Sequence, residues 1–442
     1  MGLVLVLIWV YDARGQKSPG TAKLHGCLKH FTNEVPVEDI SDLQYMIEPS
    51  AKRAIVTDSL GKFSIILNIT TPNYYKIGRN VIYLSPGDDM EVMINFMDQN
   101  ASWFKGKGQQ ANNFLRSTPF PKGGSFLEAG DKIAASPQAT LLRIDSLANA
   151  RYRRIDSLTD VSEAFRSMER ARVKADQINS LYAGRIYSIW SYGIKEDSAR
   201  IFGSAYDAFI APKVRLLARN FIDSRYMQLV VYRDIAKRIS AYEGPSEETR
   251  KIMDWYRTDS FIKSMYKENE KSSLQKYAYK IDSIESPVYK AATEKLLQRL
   301  MDFGKGDFAE DFTAHDPKGN PVSLGTLAGK VIYIDMWATW CVPCMQEMPA
   351  FEELKKKFSD NKDVVFVSLS IDSGDIEWKK NLLMRSPDGL QWRIDRALLK
   401  KYNVLSIPRA VLIDKNFKIV QMDATTPSNN ATALAITALL KN

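Results

Sequence analysis

The sequence predicts a multidomain chain with an N-terminal antiparallel β-sandwich, an α-helical middle region and a C-terminal α/β domain. At 442 residues the chain is too long for one hydrophobic core. Its apolar periodicity changes twice: short alternating runs give way near residue 116 to helical spacing, and near residue 302 to alternating strands and helices. A hydrophobic content of 45% with 11% aromatics belongs to a folded chain, not a disordered one.

Taken in order, residues 1–20 read as a secretory signal segment. Gly2 to Val10 (GLVLVLIWV) is a continuous apolar run too short to span a bilayer, followed by a polar stretch that suits cleavage between Arg14 and Ala22. It has no basic residues ahead of it, so a buried N-terminal strand is the competing reading. Cys27, in Leu24-His25-Gly26-Cys27, lies too far beyond the apolar run for lipidation and is expected to be a small buried or edge-strand thiol.

Residues 21–116 carry the sandwich. Ala54–Thr57, Phe63–Leu67, Tyr74–Ile77, Val81–Leu84 and Met90–Ile94 are short β-branched or aromatic runs, separated by Asp58-Ser59-Leu60-Gly61, Thr71-Pro72-Asn73 and Pro86-Gly87-Asp88. No nucleophile, metal cluster or phosphate loop accompanies them, so docking or structural support is the expected role.

Residues 117–302 are helical in pattern. Arg143-Ile144-Asp145-Ser146-Leu147 recurs as Arg154-Ile155-Asp156-Ser157-Leu158, a spacing close to three helical turns. The repeat reads as an amphipathic helix packed inside the protein, with a partner-binding seam as the alternative. Gly244-Pro245 and Ser286-Pro287 break the helices, and Tyr187, Trp190, Tyr192 and Tyr206 are expected in core and inter-domain packing and not in a ligand box, since no convergent polar set accompanies them.

Residues 303–442 hold the chemistry. Val331-Ile332-Tyr333-Ile334 is the pattern of a central strand buried on both faces, and it leads through Trp337-Ala338-Thr339-Trp340 into Cys341-Val342-Pro343-Cys344. Helical periodicity begins at Pro343, so the two sulfurs fall at a helix N-terminus. Free N–H groups and the helix dipole favour an anion there, which predicts a depressed pKa and an attacking thiolate at Cys341, with Cys344 placed to resolve. Half a zinc site is the other reading of Cys-x-x-Cys, but the chain has three cysteines and three histidines, with no second cysteine pair, so no metal is expected.

The segment WATWCVPC resembles the active-site segment of the thioredoxin superfamily, most closely its extracytoplasmic TlpA/ResA-like branch. The resemblance covers Phe303 to Asn442. Gly304–Lys330 is similar to the lead-in hairpin of that branch, with Asp316-Pro317-Lys318-Gly319 as its turn. Pro349 matches the kink proline of the active-site helix, and Ile407-Pro408 matches the cis-proline dipeptide facing the disulfide. Leu84–Ile94 with Phe104-Lys105-Gly106-Lys107-Gly108 and Asn112-Asn113-Phe114-Leu115 also resembles the β domain fused to multidomain TlpA-like proteins. One departure is Phe417, standing where relatives carry glycine in the turn of the terminal hairpin.

The resemblance implies a thioredoxin fold for 303–442 and roles for particular residues. Cys341 and Cys344 form the redox disulfide, with no other cofactor; Asp335 is a buried carboxylate that exchanges a proton with Cys344, and Glu347 an acidic neighbour of the pair. Trp340 is a contact surface, while Ile407 and cis Pro408 present backbone to the substrate and keep metal off the thiols. The expected activity is that of an exported thiol-disulfide oxidoreductase of the periplasm or cell envelope, working as reductase or exchanger on protein thiols and disulfides. A membrane or periplasmic donor would supply its electrons, and membrane attachment is left open. A net oxidant, and a scaffold whose redox domain is secondary, are the alternatives; a lone peroxidatic cysteine in a peroxiredoxin context is absent. The formal charge of +9 is spread along the chain without a basic run, which argues against nucleic acid.

Overall fold

The computed structural model describes residues 20–30, 34–41, 54–78, 80–118, 125–268, 270–372, 375–385, 387–404 and 407–441. The expected signal segment, apart from Gly20, lies outside them.

The first region contains eight strands, β1 (Thr21–Lys29), β2 (Glu34–Asp39), β3 (Ala54–Val56), β4 (Lys62–Asn68), β5 (Asn73–Ile77), β6 (Asn80–Leu84), β7 (Asp89–Asn95) and β8 (Trp103–Lys107). They form two four-stranded sheets, ordered β4-β1-β7-β8 and β3-β2-β5-β6. Alternate residues such as Ala22, Leu24, Val35, Val37, Ile55 and Leu67 turn into one shared core. The expectation of a purely antiparallel arrangement is corrected by β1 and β7, which pair in parallel from Lys23 opposite Asp89 to Lys29 opposite Asn95. Cys27 is neither buried nor on an edge: it is half-exposed on β1, between β4 and β7.

Helix α1 (Gln109–Leu115) explains the Asn-Asn motif. Asn112 gives and takes hydrogen bonds with the main chain of Tyr83 on edge strand β6, at 2.8 and 2.9 Å. Asn113 does the same for Phe104 on edge strand β8, at 3.2 and 2.6 Å. Two adjacent amide side chains thus stand in for the missing neighbour strands.

The middle region is built from α2 (Pro137–Asp156), α3 (Glu163–Ser191), α4 (Glu196–Ala218), α5 (Val230–Glu243), α6 (Glu247–Lys267), α7 (Lys271–Ile281) and α8 (Pro287–Asp302). Ser136, Ser162, Ser246 and Ser286 cap α2, α3, α6 and α8 through their hydroxyls. Ile144 and Ile155, one from each copy of the repeat, are fully buried, which fits internal packing and not a free seam. Tyr206 is core, but Trp190 is 69% exposed, against the expectation that all four aromatics pack inside. Tyr74, Val81 and Tyr83 join the helical core, and the Tyr74 hydroxyl donates to Glu169 at 2.6 Å, which also accepts from Arg172 at 3.0 Å.

The last region is a seven-stranded sheet ordered β10-β9-β13-β12-β11-β14-β15. Its strands are β9 (Thr313–His315), β10 (Pro321–Ser323), β11 (Val331–Trp337), β12 (Val364–Ser370), β13 (Leu390–Arg393), β14 (Arg409–Ile413) and β15 (Ile419–Ala424). Helices α9 (Val342–Lys357), α10 (Ile376–Arg385) and α11 (Asn430–Leu440) supply apolar residues to the cores on its two faces. Lys271 pairs with Asp307, and Lys305 with Glu270, where α8 hands over to this region. No helix among the described residues is long and apolar enough to cross a membrane.

Candidate functional site

Strand β11 is buried along its whole length because it has a strand on each side and a core on each face. Ile332, Ile334 and Met336 enter the core that also holds Cys341 and Cys344, while Val331 and Tyr333 enter the opposite one. Beyond Trp337, three residues cross to the start of α9. There Cys341 takes extended backbone angles and acts as N-cap, its Sγ accepting the Cys344 N–H at 3.2 Å. Pro343 lies in the first turn, where its missing N–H has no partner to lose.

Cys341 and Cys344 are joined as a disulfide. Both are nearly buried, Cys341 at 5% exposure and Cys344 at 1%. Trp340 and Val342, flanking Cys341, are exposed, whereas Trp337 is buried and its indole N–H donates to Ser368 Oγ at 2.8 Å.

Asp335 is buried in β11, with its carboxyl pushed up to about 7, first by loss of hydration and then by the negative charge of Glu347. Glu347 itself is half-buried on α9 and accepts two hydrogen bonds from Ser428, one from its backbone N–H at 3.0 Å and one from its hydroxyl at 2.8 Å. The Ile407–Pro408 peptide is cis, and Ile407 packs on the cluster that contains the cysteines. The structure therefore gathers Cys341, Cys344 and Ile407 in one cluster, couples Asp335 to Glu347 through charge, and leaves Trp340 facing solvent. Among the described residues, no group of three or more His, Cys, Asp or Glu could hold a metal ion.

Two contributors escaped the sequence reading. Ser428 lies 81 residues from the glutamate it binds. Asp372, 4% exposed, lies just past β12, and its carboxylate accepts hydrogen bonds from Thr339 and Ser370. The available signal was its position at the C-terminal end of a strand parallel to β11, where sites in α/β sheets gather.

The Redoxin family model matches residues 304–436, the region that holds the disulfide. Over 126 residues the chain is 34% identical to the thiol-disulfide oxidoreductase ResA of Bacillus thuringiensis subsp. konkukian, a match covering 28% of this chain and 70% of that protein. It is 33% identical over 114 residues to the thioredoxin-like protein YneN of Bacillus subtilis, covering 25% and 66%. A candidate thiol-disulfide oxidoreductase of Bacteroides vulgatus, known as a crystal structure, is 41% identical, with 30% of this chain and 96% of that one covered and a TM-score of 0.30. A thioredoxin-like C-terminal region, with a disulfide opening the helix after its central strand and this identity over most of the ResA sequence, places the chain in the ResA-like thiol-disulfide oxidoreductases of the thioredoxin superfamily.

Proposed function

We propose that this protein is an exported oxidoreductase that reduces or exchanges disulfides in protein substrates through Cys341 and Cys344. The observation that carries the reading is the pair's placement at the first turn of α9, with the Cys344 N–H directed at Cys341 Sγ. That donor and the helix dipole lower the energy of a thiolate on Cys341 once the disulfide is reduced.

The Cys341 thiolate attacks a substrate disulfide, forming a mixed disulfide and releasing one substrate thiolate. Cys344 then loses its proton, for which Asp335 is the acceptor, and attacks Cys341 Sγ. The second substrate thiolate leaves, and Cys341–Cys344 is oxidised. A dithiol donor at the membrane or in the periplasm returns two electrons. Trp340 and the Ile407 and Pro408 backbone form the substrate's contact surface, and Glu347 tunes Asp335. Catalysis resides in 303–442, with 21–116 and 117–302 as docking or support. Export is supported by the apolar run Gly2–Val10 and by the family resemblance.

Insulin-disulfide reduction by the full chain against Cys341→Ser tests the activity: loss in the variant is expected, and equal rates contradict the assignment. The midpoint potential of the pair decides direction. A value of about −270 mV fits a reductase, and one of about −120 mV a net oxidant.

A further inference from the structure

The crossing from β11 to α9 is only Ala338, Thr339 and Trp340, yet it must deliver Cys341 to the helix terminus in one orientation. Its polar groups are met from β12. Trp337 O accepts the Ile371 N–H at 2.8 Å, extending the β11–β12 ladder by one rung. The next residue, Asp372, turns its carboxylate onto the crossing: the Thr339 N–H reaches its two oxygens at 3.1 and 3.0 Å, and the Thr339 hydroxyl donates to Oδ1 at 2.8 Å. Ser370 Oγ donates to Oδ2 at 2.7 Å and accepts the Asp372 N–H at 3.1 Å, so the carboxylate is itself held. On the far side the Cys341 N–H donates to Ala338 O at 3.0 Å. The Thr339 bonds lie two residues from Cys341, the Ser370 bonds hold the carboxylate that makes them, and the Trp337–Ile371 rung fixes the strand end from which the crossing starts.

We propose that Asp372, acting through Thr339, is a positioning residue for disulfide exchange: it fixes the crossing so that Cys341 caps α9 and Trp340 stands clear at the surface. The proposal rests on the reading of Cys341 as the attacking sulfur. Its chemistry is specific to a carboxylate. Both oxygens accept from the Thr339 N–H, so in either orientation asparagine would turn its donating Nδ2 on that N–H and keep only one acceptor for it. Charge-assisted bonds to a buried carboxylate are also about twice as strong as neutral ones, so the crossing is held more firmly than a side-chain amide would hold it.

The test uses the full chain and three variants, Asp372→Asn, Thr339→Val and Thr339→Ser. In the reduced protein, the iodoacetamide rate at Cys341 is followed by peptide mass mapping, which separates it from Cys344 and Cys27. The kcat and KM for insulin reduction are measured alongside melting temperature. We expect Asp372→Asn to lower kcat and the Cys341 alkylation rate about tenfold and Thr339→Val about threefold, with KM within about twofold and Thr339→Ser restored to near the wild-type rate, since the loss is one of orientation. A purely structural clamp would lower the melting temperature of Thr339→Val and leave its kcat and alkylation rate at 25 °C unchanged; that result overturns the proposal. If Asp372→Asn does not fold, the Thr339→Val and Thr339→Ser pair decides between the two outcomes on the same criteria. Mass mapping keeps the two ideas apart: wild type alkylated first at Cys344 overturns the assignment of Cys341 as attacker, whereas first labelling at Cys341 with unchanged variant rates overturns only the role of Asp372.

Discussion

Glu347 on the active-site helix accepts hydrogen bonds from both the backbone N–H and the hydroxyl of Ser428, tying α9 to the turn that starts α11. The same carboxylate raises the energy of a charge on buried Asp335. Glu347→Gln keeps an acceptor for Ser428 and removes the charge. Asp335 should then titrate part of the way down from about 7, because burial is the larger cause and remains. Carboxyl-selective NMR titration reads this, and an unmoved Asp335 would show that the two groups are not coupled.

Asp335 also makes stability depend on pH. Its carboxyl titrates at about 7 in the fold, against 3.8 as the ordinary value. Between those limits the folded chain keeps a proton that the unfolded chain has lost, so stability falls as pH rises from about 4 to about 7 and stays at the lower level above that. Such a shift corresponds to roughly 4 kcal/mol, an upper figure for one group. Asp335→Asn should flatten this part of the profile and be the more stable protein at pH 8 by urea unfolding, while slowing release of the mixed disulfide. A variant as steeply pH-dependent as wild type would show that Asp335 is not the group responsible.

Asn112 is fully buried and pairs with the main chain of Tyr83. Asn112→Ala leaves a buried N–H and C=O without partners and should destabilise the protein by about 2–3 kcal/mol. Denaturant unfolding followed through the β-region checks this; a loss under about 0.5 kcal/mol would mean that the edge of β6 needs no cover.

Phe417 sits at φ 61°, the left-handed region, in the turn between β14 and β15, with its ring packed on the core that holds the cysteines. Phe417→Gly relieves about 1–2 kcal/mol of backbone strain and gives up part of a half-buried ring, of similar size. Thermal unfolding should therefore change by no more than about 1 kcal/mol, and insulin reduction should not change. A loss beyond about 3 kcal/mol would show that ring packing, and not the turn, sets this position.

Much of the C-terminal region was legible because its strands announce themselves. β11 and β12 are buried on both faces and read as unbroken apolar runs, and Trp337 to Cys344 is a motif with a strand before it and a helix after it. In the first region, β1 was missed because Lys23, His25, Gly26 and Lys29 dilute its alternation, and β2 because acids occupy half of Glu34–Asp39. The parallel pairing of β1 with β7 joins strands with five others between them in the chain, and no local spacing encodes that. Trp190 shows the limit of composition: an aromatic on a helix is core or surface according to the neighbour its face meets. The cysteines were readable for the same reason Ser428 was not. The pair lies within four consecutive residues, whereas the Glu347–Ser428 contact depends on where α11 packs.

Trapping separates the attacking sulfur from the resolving one. In Cys344→Ser the Cys341 thiolate can attack but nothing resolves the product, so non-reducing gels should show stable mixed disulfides with client proteins, each identifiable by mass spectrometry. In Cys341→Ser, with the attacker gone and Cys344 at 1% exposure inside the first turn, almost nothing should be trapped. Equal trapping by Cys341→Ser and Cys344→Ser would contradict the assignment of Cys341 as the attacking thiolate.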